Sequence, residues 1–124
     1  MRKAMITDTD YETWVETKVK PAELLLQNTN AFKVDLSHMA HGVAGEAGEL
    51  VDAIKKHTIY NKPLDMENMI EELGDLEFYM AHIRTMLGLT REQILEHNRA
   101  KLDKRYKIGY TDKAASERAD KQDG

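Results

Sequence analysis

The sequence predicts an all-α fold, and three observations carry that prediction. Apolar residues recur at helical spacing through two long stretches, residues 36–54 and 69–87. Cap signals mark helix ends: Asp65 ahead of the second stretch, Gly88 just past it, and Thr90 with Gln93 opening a further helix. No segment shows the two-residue alternation of a half-buried strand. The expected architecture is a helical bundle of about four to five helices, with a single domain over residues 1–110 and a polar tail over 111–124.

Composition narrows the possibilities. Of the 124 residues, 41% are hydrophobic and 32% charged, which suits helices with narrow apolar faces. A small bundle of such helices buries a limited share of its surface, so a second copy is expected to cover part of it, giving a homodimer or a tetramer. The formal charge of −4 argues against a nucleic-acid footprint. With no cysteine, disulfides, thiolate metal sites and cysteine nucleophiles are excluded. No apolar run is long enough to span a bilayer, and the leading MRKAMITDTD lacks the apolar region of a signal peptide. The expected compartment is the cytoplasm.

Each element has its own local reasons. Thr7 followed by Asp10 resembles a helix start, and Tyr11, Trp14 and Val15 form one face of that first helix. Pro21 kinks or ends it, and residues 22–27 add a turn or two before the polar residues 28–30. The second helix is expected to begin near Asp35 or Ser37, both capping types. Its apolar side chains Leu36, Met39, Val43, Ala47, Leu50 and Ile54 cluster between about 20° and 100° from Glu46 on a helical wheel, with Glu49 near −60°. Asn61, Lys62 and Pro63 make the break, and Asp65 caps the third helix. There Met69, Leu73, Leu76, Met80, Ile83 and Leu87 lie about 20° to 100° from Glu72, with Asp75 near −60°. Thr90 and Gln93 open a fourth helix expected to run to about Lys107, with Ile94, Leu95, Ala100 and Leu102 as buried candidates.

The two central helices repeat one design, an acidic pair at the margin of an apolar stripe. The pairs, Glu46-x-x-Glu49 and Glu72-x-x-Asp75, are placed symmetrically about a midpoint between Tyr60 and Asn61. In an antiparallel hairpin Glu46 lies level with Asp75 and Glu49 with Glu72. Four carboxylates on one patch repel one another unless a cation joins them, and hard divalent cations prefer oxygen ligands. Gly42, one turn before Glu46, leaves room beside the acids for a ligand or for a packed helix.

The strings GEAGEL and EELGDL, the 22 residues between the acidic motifs, and HNRAKLDKRY in the fourth helix resemble the MazG-like all-α nucleoside triphosphate pyrophosphohydrolases, most closely their small phage-encoded members. The resemblance covers residues 36–110. It implies a dimerising helical bundle that cleaves a nucleoside triphosphate to the monophosphate and pyrophosphate with Mg2+, for which Mn2+ substitutes, in the host cytoplasm if phage-encoded. Glu46, Glu49, Glu72 and Asp75 become the metal ligands. Glu49, set farther toward the open side, is the choice for orienting or deprotonating the attacking water. The Asn98, Lys101 and Arg105 spacing matches the family's Asn-x-x-Lys-x-x-x-Arg pattern and puts the three on one face for phosphate.

Further substrate candidates follow with their plainer readings. Lys56, two turns past Glu49, either meets phosphate or lies in solvent, as its neighbour Lys55 does. Tyr79 either stacks on the nucleoside or packs in the core, and Tyr106 sits near phosphate or against Arg105. Trp14 stacks a base or anchors a core. His38 lines a polar pocket; paired with His41 it lacks the third nitrogen that a transition-metal site needs. His57, His82 and His97 read as surface or helix-end residues. Two alternatives compete with the hydrolase. A di-iron carboxylate bundle requires Glu-x-x-His motifs, whereas both motifs here end in an acid. A non-catalytic helical module binding metal or nucleotide has the same residues without turnover.

Overall fold

The computed structural model describes residues 8–107 and 109–121, so the helix start expected at Thr7 lies outside it. Six α-helices follow one another: α1 (Asp8–Glu16), α2 (Ala22–Asn28), α3 (Ala31–Thr58), α4 (Met66–Leu87), α5 (Arg91–Arg105) and α6 (Asp112–Glu117), then a 3-10 turn, Ala119–Lys121. No strand occurs among the described residues. The all-α expectation is met, with six helices in place of four or five because α2 and α6 form short helices of their own.

The chain divides into two compact units, Met1–Val34 and Asp35–Gly124. In the first, α1 ends at Glu16, and Pro21 sits at the N-cap position of α2, where a proline's missing donor costs nothing. Tyr11 and Trp14 are tilted against each other at 5.7 Å, and Trp14 is half exposed.

The second unit rests on α3 and α4. The expected start of α3 near Asp35 or Ser37 is corrected: the helix begins at Ala31, because the Asn30 side chain already accepts the Lys33 amide at 2.9 Å. Asp35 is thereby a helical residue. The break between the helices is closed locally. Asn61 takes the left-handed conformation (φ 52), which asparagine tolerates, and His57 Nδ1 donates to the Lys62 carbonyl at 2.8 Å. Asp65 caps α4 by accepting the Asn68 amide at 3.1 Å. Gly88 ends α4 at φ 67, its amide donating to the Arg84 and Thr85 carbonyls. Thr90 and Gln93 form the reciprocal capping box of α5. That helix stops at Arg105, two residues short of the expected Lys107.

Side-chain contacts establish that α3 and α4 run antiparallel. Asp35 meets His82, Gly42 meets Tyr79, and Glu46 meets Glu72, so rising numbers on one helix face falling numbers on the other. The apolar stripes are only partly covered. Met39 and Ala53 are buried, and Leu36, Val43, Ala47, Leu50, Met69, Leu76 and Ile83 are half-buried. Ile54, Leu73, Met80 and Leu87 stay exposed, as do Ile94, Leu95, Ala100 and Leu102 of α5. These eight expected core positions are corrected for the single chain. Helical spacing places them on an apolar side, but among the described residues of the second unit no element closes over them.

Past α5 the chain turns back. Thr111 caps α6 by accepting the Ala114 amide at 3.0 Å, and α5 packs against α6 and the 3-10 turn. Arg105 Nε donates to Asp120 Oδ1 at 2.9 Å.

Candidate metal centre

Two helical turns supply the centre. Glu46 projects from α3, and Glu72 and Asp75 from α4, where a three-residue spacing keeps both acids of a pair on one side. One oxygen from each of Glu46, Glu72 and Asp75 lies within 4.8 Å of the other two. The helices approach closely enough because residue 42 has no side chain. The ring of Tyr79 occupies the space where a Cβ on Gly42 would stand. Of the two uses read for Gly42, packing is the one observed.

Glu72 is the perturbed member. It is half-buried, and its Oε2 is shielded from solvent without a hydrogen-bond partner. Its pKa is raised above the ordinary carboxylate value, first by loss of solvent, then by a hydrogen bond with Glu46, then by the negative charges of Glu46, Glu49 and Asp75. Carboxylates this close repel one another, and a cation among them would remove that repulsion. The donor set fits a hard divalent ion: oxygens only, crowded negative charge, and one buried oxygen lacking a partner. Glu49 lies outside the three-way group, exposed on α3, yet its charge reaches Glu72.

The remaining sequence-derived candidates are dispersed. Lys56 is exposed and pairs with Asp52 at 3.5 Å. Tyr79 is half-buried against Gly42 and stands edge-on to Phe78 at 5.2 Å. Asn98 is exposed and Lys101 half-buried on α5. Arg105 is held by Asp120; the pair raises the guanidinium pKa and lowers that of the carboxyl. Tyr106 is half-buried, with Tyr110 at 5.4 Å and the Arg105 guanidinium 5.9 Å from its ring. His38 is exposed. His41 Nδ1 donates to the Ser37 carbonyl at 2.7 Å, which occupies it within its own helix. Trp14 belongs to the first unit, with the Lys18 ammonium 6.0 Å from its ring.

Two functional-looking pairs escape the sequence reading. His82 Nε2 lies 3.0 Å from Asp35 Oδ2, across α3 and α4. Extending the mirror register would have placed His82 opposite Met39, one turn from Asp35, so the signal was present. Asp120 gave none, because it sits in a tail whose composition reads as solvated.

Fold and site together define a class: an all-α protein whose two central helices converge acids on a partly buried carboxylate. The MazG nucleotide pyrophosphohydrolase domain matches residues 35–109, three-fifths of the chain and all four acids. The chain belongs to that family, whose substrates are nucleotides. Neither curated proteins nor solved structures gave a match. Among the described residues, no helix is long and apolar enough to cross a membrane.

Proposed function

We propose that this protein is a Mg2+-dependent nucleoside triphosphate pyrophosphohydrolase, releasing nucleoside monophosphate and pyrophosphate. The observation that carries the reading is the Glu46, Glu72 and Asp75 cluster with its unpartnered buried oxygen, in a chain of this family. These three acids, with Glu49 beside them, would hold the cation. Bound there, Mg2+ supplies neutralisation of charge developing on the triphosphate oxygens. Glu49, the exposed member, takes the proton of the attacking water and orients it toward the α-phosphorus. The bond from the α-phosphorus to the bridging oxygen breaks as the water oxygen adds, and pyrophosphate leaves. Asn98, Lys101 and Arg105 of α5 are the phosphate contacts in this reading; the bond to Asp120 uses only the Nε of Arg105.

The reading includes a homodimer, with a tetramer as a pair of such dimers. Ile70, Leu73, Met80 and Leu87 line one exposed side of α4, and Val51 and Ile54 are exposed on α3. A patch of this kind suits coverage by a second copy. Sedimentation at micromolar concentration gives twice the chain mass if so, and a monomer mass rejects it.

Incubation with each common ribo- and deoxyribonucleoside triphosphate plus Mg2+, followed by chromatography of the products, tests the activity. Monophosphate with pyrophosphate is the expected result. Metal binding without turnover of any triphosphate replaces the enzyme by a binding module.

A further inference from the structure

We propose that the cavity between the end of α5 and α6 is a binding site for a polyphosphate anion, filled without a metal ion. This goes beyond the hydrolase reading and does not depend on it. The cavity holds about 380 Å3, within the roughly 300–1,000 Å3 of small-molecule sites. Lys104, Arg105, Lys107 and Lys113 line it, against the single carboxylate of Glu117. None of Glu46, Glu49, Glu72 and Asp75 lines it, and neither do Asn98 and Lys101. Lys113 and Glu117 belong to α6, beyond residue 109, where the match to the family domain ends. That half of the wall is therefore an addition to the domain.

These cations gather in a chain whose formal charge is −4. Helix polarity accounts for two of them: Lys104 and Arg105 lie in the last turn of α5, where a cation meets the negative end. It does not account for Lys107, past that helix, or for Lys113, in the first turn of α6. The Arg105 guanidinium is set in place beforehand. Its side chain is only 16% exposed, and the bond from Nε to Asp120 Oδ1 at 2.9 Å orients it. That bond uses only Nε, and the terminal nitrogens of a guanidinium form the fork that takes phosphate oxygens in pairs. Lys107 pairs with no acid among the described residues, and Lys113 stands 3.8 Å from Glu117 in an exposed pair worth little in water. Gly109, at φ 95, turns the chain between α5 and α6, and the space beside it is open. Four cations against one carboxylate suit more charge than a single phosphate carries. Two or three linked phosphates, free or as the tail of a nucleotide, match them. Such an anion touches Arg105 on α5 and Lys113 on α6 at once, and so ties the two helices together.

The test titrates inorganic tripolyphosphate into the protein by calorimetry, in chelator and at physiological salt, where distant charges are screened. Saturable binding is expected, and amide exchange in α6 should slow at saturation. Lys107→Ala combined with Lys113→Ala should weaken binding about tenfold, the loss of two charge-assisted contacts. Both lysines are exposed, so folding is not at stake. Lys20→Ala combined with Lys62→Ala removes the same charge from exposed positions elsewhere and should leave the affinity unchanged. Glu72→Gln should leave it unchanged too, because that residue does not line the cavity. No binding in chelator overturns the proposal, as does equal affinity in the parent and the Lys107 and Lys113 double variant. Binding that needs Mg2+ and is lost in Glu72→Gln belongs to the carboxylate centre and overturns it as well. Neither readout involves hydrolysis, so a chain without turnover leaves this proposal standing. Deoxythymidine triphosphate separates the two sources: affinity equal to that of tripolyphosphate admits a nucleotide tail, and exclusion restricts the site to the free anion.

Discussion

Replacing Gly42 by alanine puts a methyl group where the Tyr79 ring now stands. The clashing atoms include the ring carbon nearest the backbone, so rotating the ring tip does not relieve the overlap, and α3 and α4 must separate. Overpacking of this kind costs about 1–3 kcal/mol. Against it, alanine in a helix interior gains about 1 kcal/mol over glycine. Gly45 and Gly48 of the same helix supply the control, since a methyl at either meets nothing within 4 Å. Gly45→Ala and Gly48→Ala should each stabilise by up to about 1 kcal/mol, whereas Gly42→Ala should be neutral to about 2 kcal/mol destabilising. Thermal unfolding reads the difference, since 1 kcal/mol shifts the midpoint of a domain this size by about 3–6 °C. Gly42→Ala should also weaken divalent-cation binding, because Glu46 rides one turn away on the helix that moves. If all three variants were equally stabilised, the close Gly42–Tyr79 approach would be refuted, and with it the spacing that gathers the acids.

Further outcomes follow from the titrating groups. Glu72 has a raised pKa, so the folded chain keeps its proton after the unfolded chain has released it at the ordinary 4.5. In chelator, thermal stability should therefore fall as pH rises through and above that value, and an added divalent cation should recover more at pH 8 than at pH 5. A chelator-treated protein that gained stability over this interval would contradict the assignment. Asp120 has the opposite sign: its pKa is lowered from 3.8 by Arg105, so its contribution is present above that value and lost as pH falls through the lowered one. Asp120→Asn should speed amide exchange in α6 while leaving α4 unchanged; equal exchange in variant and parent would show that the Arg105–Asp120 pair does not hold the C-terminal turns against α5.

The parts of the site that were legible depend on geometry any helix imposes. A fixed angle per residue put both acid pairs beside an apolar stripe, and their symmetry about the point between Tyr60 and Asn61 anticipated the antiparallel meeting of Glu46 with the Glu72 and Asp75 turn. The sequence could not show which side of a helix another element would cover. Ile94 and Leu95 read as buried from periodicity alone, and both are exposed. The start of α3 was misplaced because Asn30, Asp35 and Ser37 are all competent caps, and only tertiary structure chooses among them. The spacing that makes Arg105 a phosphate candidate says nothing of its bond to Asp120 fifteen residues later. Asp35 was assigned to a helix cap, and so its meeting with His82 went unread.

Glu72 as a ligand of a divalent cation is the central assignment. Titrating Mn2+ against the protein and against Glu72→Gln, with unbound Mn2+ followed by electron paramagnetic resonance, tests it without requiring turnover. Losing a supporting group of a metal ligand alone costs about 10–100-fold in affinity, so losing the ligand should weaken binding at least about tenfold. Equal Mn2+ affinity in the two proteins would contradict the assignment of the cluster as the metal centre.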